Sequence, residues 1–209
     1  EELPLALGVL ISGSGTNLQA LIDAIAAGTL DARITVVISN KEAAYGLERA
    51  RHAGIPAVHI DPAKHGDYRA YNHAIRTALE AHGVELVVMA GYMRLLTPVF
   101  IDSFPQRIVN IHPALLPAFP GVDAQHQAWE YGVKVSGCTV HLVDAGCDTG
   151  PIVLQRTVPV LDGDTADGLA TRILEQEHIA YATAMRLLLT RCWRIDGRRV
   201  TFLPEVAAP

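Results

Sequence analysis

Asn110 and His112 stand two residues apart in the segment RIVNIHP, residues 107–113. In an extended chain a spacing of two puts both side chains on one face, with Val109 and Ile111 on the other. Pro113 has no N–H for a sheet ladder, so the strand ends there and leaves His112 at its lip. An amide that donates to a developing oxyanion, beside an imidazole that carries a proton near neutral pH, suits acyl chemistry. That chemistry needs no Ser or Cys nucleophile, and the other eight of the nine histidines read as structural.

A second element, HLVDAGCDTGP at 141–151, is a strand running into a turn with two acids, Asp144 and Asp148. A carboxylate close to an imidazole raises its basicity and fixes its orientation. Asp is also a common turn residue because its side chain bonds the backbone two residues on. The residues themselves leave open which of the two acids faces His112.

A third element follows the first apolar run: Ser12-Gly13-Ser14-Gly15-Thr16-Asn17, leading into LQALIDAIAAG. Glycines allow a tight turn, and the amides at a helix N-terminus, aided by the helix dipole, attract an anion. No Gly-Lys-Ser/Thr follows, and Leu18 stands where the third glycine of GxGxxG belongs. The loop therefore suits a monophosphate rather than a dinucleotide; its plainer alternative is a helix cap.

These groups need a scaffold. Apolar runs at Leu5–Ile11, Ile34–Ser39, Ala57–Ile60 and Leu86–Ala90 alternate with helical patterns at Asn17–Ala27, Tyr45–Ala53 and Asp67–His82. This is the pattern of βαβ units around a parallel sheet, with Gly28, Gly54 and Gly83 where helix C-caps belong. A loop GYMRLL, a short helix near Pro98–Phe104, the strand Arg107–His112 and the irregular run HPALLPAFPG come next. Strands at Val135–Val143 and Ile152–Val158, a helix of about 25 residues from near Thr165 and a hairpin around Asp196–Gly197 complete the chain. The expected architecture is α/β: a Rossmann-like, mostly parallel sheet with helices on both faces and mixed or antiparallel C-terminal strands.

Composition narrows the partners. With 209 residues, half of them apolar, the chain can bury one large core. A formal charge of -5 with 17 basic residues gives neither a nucleic-acid stripe nor a polybasic membrane segment, so small-molecule partners are expected. No apolar run approaches the roughly 20 residues that span a bilayer, and the start lacks a basic n-region. Cys138, Cys147 and Cys192 are scattered, without zinc-ligand spacing, as in a reducing compartment. The expectation is a cytoplasmic monomer or homodimer without a metal, and the start at Glu1 in place of Met suggests either trimming or a chosen boundary.

SGSGTNLQALIDA, SNK at 39–41, AGYMRLL at 90–96, NIHPALLPAFPG at 110–121 and HLVDAGCDTGPI at 141–152 occur in this order across nearly the whole chain. Together they resemble the folate-dependent formyltransferases, those acting on glycinamide ribonucleotide in particular. The resemblance implies a co-substrate, 10-formyltetrahydrofolate, whose formyl group passes to the amine of glycinamide ribonucleotide in purine biosynthesis. It implies a catalytic trio of Asn110, His112 and Asp148, with Asp144 left to the turn. It places Gly15, Thr16, Asn17 and Glu177 on the ribonucleotide, and Arg69, Met93, Arg94, Leu95, Leu96 and Asn110 on the folate.

The same resemblance makes residues 1–209 one domain, phosphoribosyl-binding in about 1–100, folate-binding and catalytic in about 101–209. Glu177 shares a helix face with Ile173, Leu174 and Tyr181, where a charge on an apolar stripe has either a ligand or an outlet to water. One departure is VDAQHQA after Gly121, where the family often has histidines. Enzymes that formylate methionyl-tRNA or hydrolyse formyltetrahydrofolate share the trio but carry a further domain, for which this chain has no room. A regulatory nucleotide-binding module would use the glycine loop and leave the NIHP and DTGP segments without a role.

Overall fold

The computed structural model describes residues 4–204. Its elements are β1 (Leu5–Ile11), α1 (Thr16–Ala26), β2 (Ala32–Ser39), α2 (Tyr45–His52), β3 (Ala57–His59), α3 (Tyr68–Ala81), β4 (Leu86–Met89), α4 (Pro98–Ser103) and β5 (Ile108–His112). There follow α5 (Ala124–Tyr131), β6 (Val135–Leu142), β7 (Ile152–Pro159), α6 (Ala166–Thr190), β8 (Trp193–Asp196) and β9 (Arg199–Phe202). One sheet of nine strands, in the order β3-β2-β1-β4-β5-β6-β7-β9-β8, runs through them. The first five strands of that order are parallel, and β6 and β7 continue antiparallel.

The parallel strands are apolar at successive positions because both their faces are covered. Leu7, Val9 and Ile11 of β1, Val88 of β4 and Val109 and Ile111 of β5 join the core that holds α1, α2 and α6. Leu10, Val87, Met89 and Ile108 point the other way, into the core under Tyr71, Ile75 and Leu79 of α3 and Phe100 of α4. The helix-ending glycines are where the sequence puts them: Gly28, Gly54 and Gly83 all take a left-handed φ just past α1, α2 and α3.

Two short elements have no mark in the sequence pattern, a 3-10 turn at Pro62–Lys64 and helix α5. Helix α5 begins immediately after the Pro-rich run, in the AQHQAWEY stretch, and only Ala124 and Ala128 of it are buried. So small a buried stripe gives almost no helical period to read. Among the described residues no helix is long and apolar enough to cross a membrane.

Helix α6 lies across the sheet and is fixed to it by a tyrosine. The fully buried hydroxyl of Tyr181 sits 2.6 Å from the Met89 carbonyl and 3.0 Å from that of Val109, on the adjacent strands β4 and β5. Tyr181→Phe keeps the ring and leaves both buried carbonyls without that donor. It is expected to lower stability by about 1–3 kcal/mol in denaturant unfolding, whereas a cost below about 0.5 kcal/mol would mean that the hydroxyl holds nothing.

Candidate active site

In a parallel sheet whose strand order reverses, ligands bind at the carboxyl ends beside the reversal. Here the reversal lies between β1 and β4, the chain running out to β3 on one side and on to β5 on the other. The loop after β1, GYMRLL after β4 and His112 at the end of β5 are therefore neighbours. At about 4.8 Å per strand, the ends of β1 and β5 stand roughly 10 Å apart.

The first loop is built to expose backbone. Gly15 is the N-cap of α1, in the left-handed region at φ 73°, and no side chain caps the helix. A Cβ on Gly15 would stand 2.6 Å from the Cα of Gly46, because α2 starts against this loop and the Gly46 N–H donates to the Gly13 carbonyl at 3.1 Å. The Arg49 Nε holds the Ser14 carbonyl at 2.7 Å. Buried Ser12 ties three loops together: its hydroxyl donates to Asn40 Oδ1 at 2.6 Å and accepts from the Met93 N–H at 2.8 Å. The SNK segment is thus a brace for the glycine loop.

Asn17 and Glu177 meet across the molecule. Asn17 Nδ2 donates to Glu177 Oε1 at 3.2 Å, both residues are buried, and Asn17 Oδ1 is buried with no protein partner. Glu177 is buried, with only 6 % of its surface exposed. An orphaned acceptor beside a carboxylate is a place for ligand N–H or O–H groups. This contact also joins the N-terminal and C-terminal halves that the sequence reading separates.

At the end of β5 four side chains converge. Asp148 Oδ2 stands 3.5 Å from His112 Nδ1, and Asp148 Oδ1 stands 3.8 Å from His141 Nε2. Asn110 Nδ2 lies 3.5 Å from His141 Nε2, and His112 Nε2 lies 2.8 Å from the Phe119 carbonyl. Asp144 takes the turn role, its Oδ1 accepting from the Gly146 N–H at 3.0 Å and the Thr149 hydroxyl at 2.6 Å.

Asp148 itself has φ 53°, the left-handed region that costs a non-glycine residue roughly 1–3 kcal/mol unless its surroundings impose it. They do so here through the Gly121 N–H, which donates to Asp148 Oδ2 at 2.8 Å, and through Gly150, whose position would put a Cβ 1.6 Å from the Leu142 carbonyl oxygen.

His141, read from the sequence as structural, stands in this cluster. It is buried, and burial pushes its ring below the usual histidine range, so it sits neutral beside Asp148. Its Nδ1 faces the Leu142 carbonyl at 3.0 Å, which leaves Nε2 as the acceptor for the Asn110 amide. Sequence spacing could not show this: His141 is opposite Asn110 only because β5 and β6 pair antiparallel in that register.

The residues assigned to folate are partly gathered. Met93 and Leu95 point outward, 69 % and 65 % exposed, forming apolar surface beside the crevice. Leu95, Leu96 and Arg69 line a cavity of about 740 Å³ with Tyr68 and Phe100. Met93 and Arg94 lie outside its lining, and the Arg94 guanidinium instead stacks 5.1 Å from the centre of the Tyr71 ring. The departing segment, Val122 to Ala128, leads into α5 and forms its first five residues, with Val122 exposed and Ala124 and Ala128 buried, and it is not part of the cluster.

Burial holds the Glu177 carboxyl above the ordinary carboxylate range, with the Asn17 bond partly opposing it. A raised native value means that the folded protein binds the proton more readily than the unfolded chain. The contribution to stability is then complete below the unfolded value and is lost as pH rises through the folded one. Glu177→Gln is expected to raise Tm at about pH 8 and leave it nearly unchanged at about pH 4, read by calorimetry; equal effects at both would contradict the buried charge.

The formyl transferase family model matches residues 6–185. Phosphoribosylglycinamide formyltransferase of Escherichia coli (strain K12) is 43 % identical over 191 residues, covering 91 % of this chain and 87 % of that protein. The crystal structure of glycinamide ribonucleotide transformylase 1 from Symbiobacterium toebii superposes with a TM-score of 0.95 at 54 % identity, covering 98 % of this chain and 96 % of that one.

Other relatives are much longer. The trifunctional purine biosynthetic protein adenosine-3 of Chironomus tentans is 44 % identical over 92 % of this chain, which spans only 14 % of its length. A match across residues 6–185, with relatives of this identity and coverage, shows that the chain belongs to the formyl transferase family.

Proposed function

We propose that this chain is a phosphoribosylglycinamide formyltransferase, moving the formyl group of 10-formyltetrahydrofolate to the amine of glycinamide ribonucleotide. The observation that carries the reading is the crevice itself. An uncapped, glycine-built helix N-terminus stands two strands from an imidazole held against a carboxylate. A phosphate at the first and an acyl carbon at the second describe a phosphorylated amine and a formyl donor.

In this reading Gly15, Thr16 and Asn17 receive the phosphoribosyl end, and Glu177 with the Asn17 carbonyl takes its hydroxyl or N–H groups. The folate lies along Met93–Leu96, with Asn110 at its formyl end, and its acidic end reaches Arg69. The partners are small molecules, the site needs no metal, the protein works in the cytoplasm as a monomer or homodimer, and residues 1–209 act as one domain.

The chemistry needs three acts. The substrate amine attacks the formyl carbon, forming the C–N bond and placing negative charge on the formyl oxygen. Asn110 Nδ2–H and protonated His112 stabilise that charge. The amine's proton leaves through Asp148 or water, and cleavage of the bond from formyl carbon to the folate nitrogen, with that nitrogen protonated, releases tetrahydrofolate. His141, neutral and accepting from Asn110, keeps the amide turned for this task without competing for the proton.

Purified protein with both substrates is expected to release tetrahydrofolate only when the ribonucleotide is present, and His112→Ala to abolish release. Folate turnover without the ribonucleotide would point to a hydrolase, and no turnover to a different acceptor. Removing one oxyanion donor costs about 10²–10³ in rate. Asn110→Ala should therefore lower kcat by about that factor with KM values little changed, and steady-state kinetics with an unaltered kcat would refute the role.

A further inference from the structure

The β8–β9 hairpin ends beside the turn that carries Asp148. Along it Trp193, Ile195, Val200 and Phe202 pack on the main core, while the residues between them face outward. The indole N–H of Trp193 donates to the Leu188 carbonyl of α6 at 3.2 Å, and the Leu203 N–H closes the hairpin on the Cys192 carbonyl at 2.9 Å. These bonds fix the base of the hairpin, and its tip turns at Gly197, in the left-handed region at φ 59°.

Register decides where that tip goes. Arg199 pairs with Ile152, the first residue of β7, in parallel. Arg198, one residue earlier, therefore lies alongside the end of the 143–151 turn, and its Nη2 donates to the Thr149 carbonyl. A guanidinium donor is charged and makes a stronger bond to a carbonyl than a neutral one. Thr149 adjoins Asp148, whose left-handed backbone must be imposed from outside.

We propose that Arg198 is a positioning residue for the catalytic carboxylate: by holding the Thr149 carbonyl it keeps Asp148 at the His112 ring. It works with the Gly121 N–H, which donates to the carboxylate itself at Oδ2. The charged and titratable groups around Asp148 are His112, His141, Asp144 and Cys147, with Arg198 approaching from the hairpin. The consequence for activity rests on the function proposed above; the consequence for the His112–Asp148 pair does not.

The test compares Arg198→Met, Arg198→Lys and the parent in formyl transfer and in NMR titration of the His112 ring. A displacement of a catalytic group by 1 Å can cost about a hundredfold. Arg198→Met is expected to lower kcat about tenfold or more with little change in either KM, and to displace both the pH profile of kcat and the His112 titration. Arg198→Lys, which keeps a charged donor, is expected to recover most of both.

Should Arg198→Met fold poorly, Arg198→Gln gives the same readouts. An unchanged His112 titration in a folded variant overturns the proposal whatever happens to the rate. If the parent transfers no formyl group, the assigned reaction falls, and the titration still decides the role of Arg198.

Discussion

The Tyr181 hydroxyl reaches from α6 to the backbone carbonyls of Met89 and Val109, and the geometry of the crevice hangs on that reach. It fixes the longest helix to the two strands whose carboxyl ends carry GYMRLL and His112. One turn earlier on the same helix stands Glu177, so the bond that sets α6 on the sheet also sets the carboxylate against Asn17 at the start of α1. A buried carboxylate is costly unless it is paired or needed. The fold places this one where the Asn17 amide donates to it.

The cluster at the end of β5 follows a different logic, one of different partners for groups that look alike. His112 and His141 are both buried histidines against one carboxylate. Burial keeps His141 neutral, with its Nδ1 on a backbone carbonyl and its Nε2 toward Asn110. His112 has an acceptor at each ring nitrogen, the Phe119 carbonyl at one and Asp148 at the other. The two rings thus meet different partners, an amide and a backbone carbonyl at His141, a backbone carbonyl and a carboxylate at His112.

Much of this could be read from the chain, and what could not has a physical reason. The apolar runs of β1, β4 and β5 and the glycines after α1, α2 and α3 mark their elements because local sequence dictates them. Asn110 and His112 were readable because a period of two is a local rule. His141 was hidden because its role arises from an antiparallel register, a non-local property. The residues alone leave Asp144 and Asp148 open and only the resemblance separates them, while α5 escapes because an almost wholly exposed helix leaves no apolar stripe. The buried state of Glu177 depends on a contact 160 positions away in sequence.

Ser12 carries a consequence for anyone who would transplant or redesign this crevice. One buried hydroxyl donates to the loop after β2 and accepts from the loop after β4, so neither loop can be exchanged without the glycine turn that supplies it. The three loops form a single module, inherited or engineered together. A graft that copies the visible glycines and omits Ser12, Asn40 and the Met93 amide would carry over the outline of the crevice without its frame.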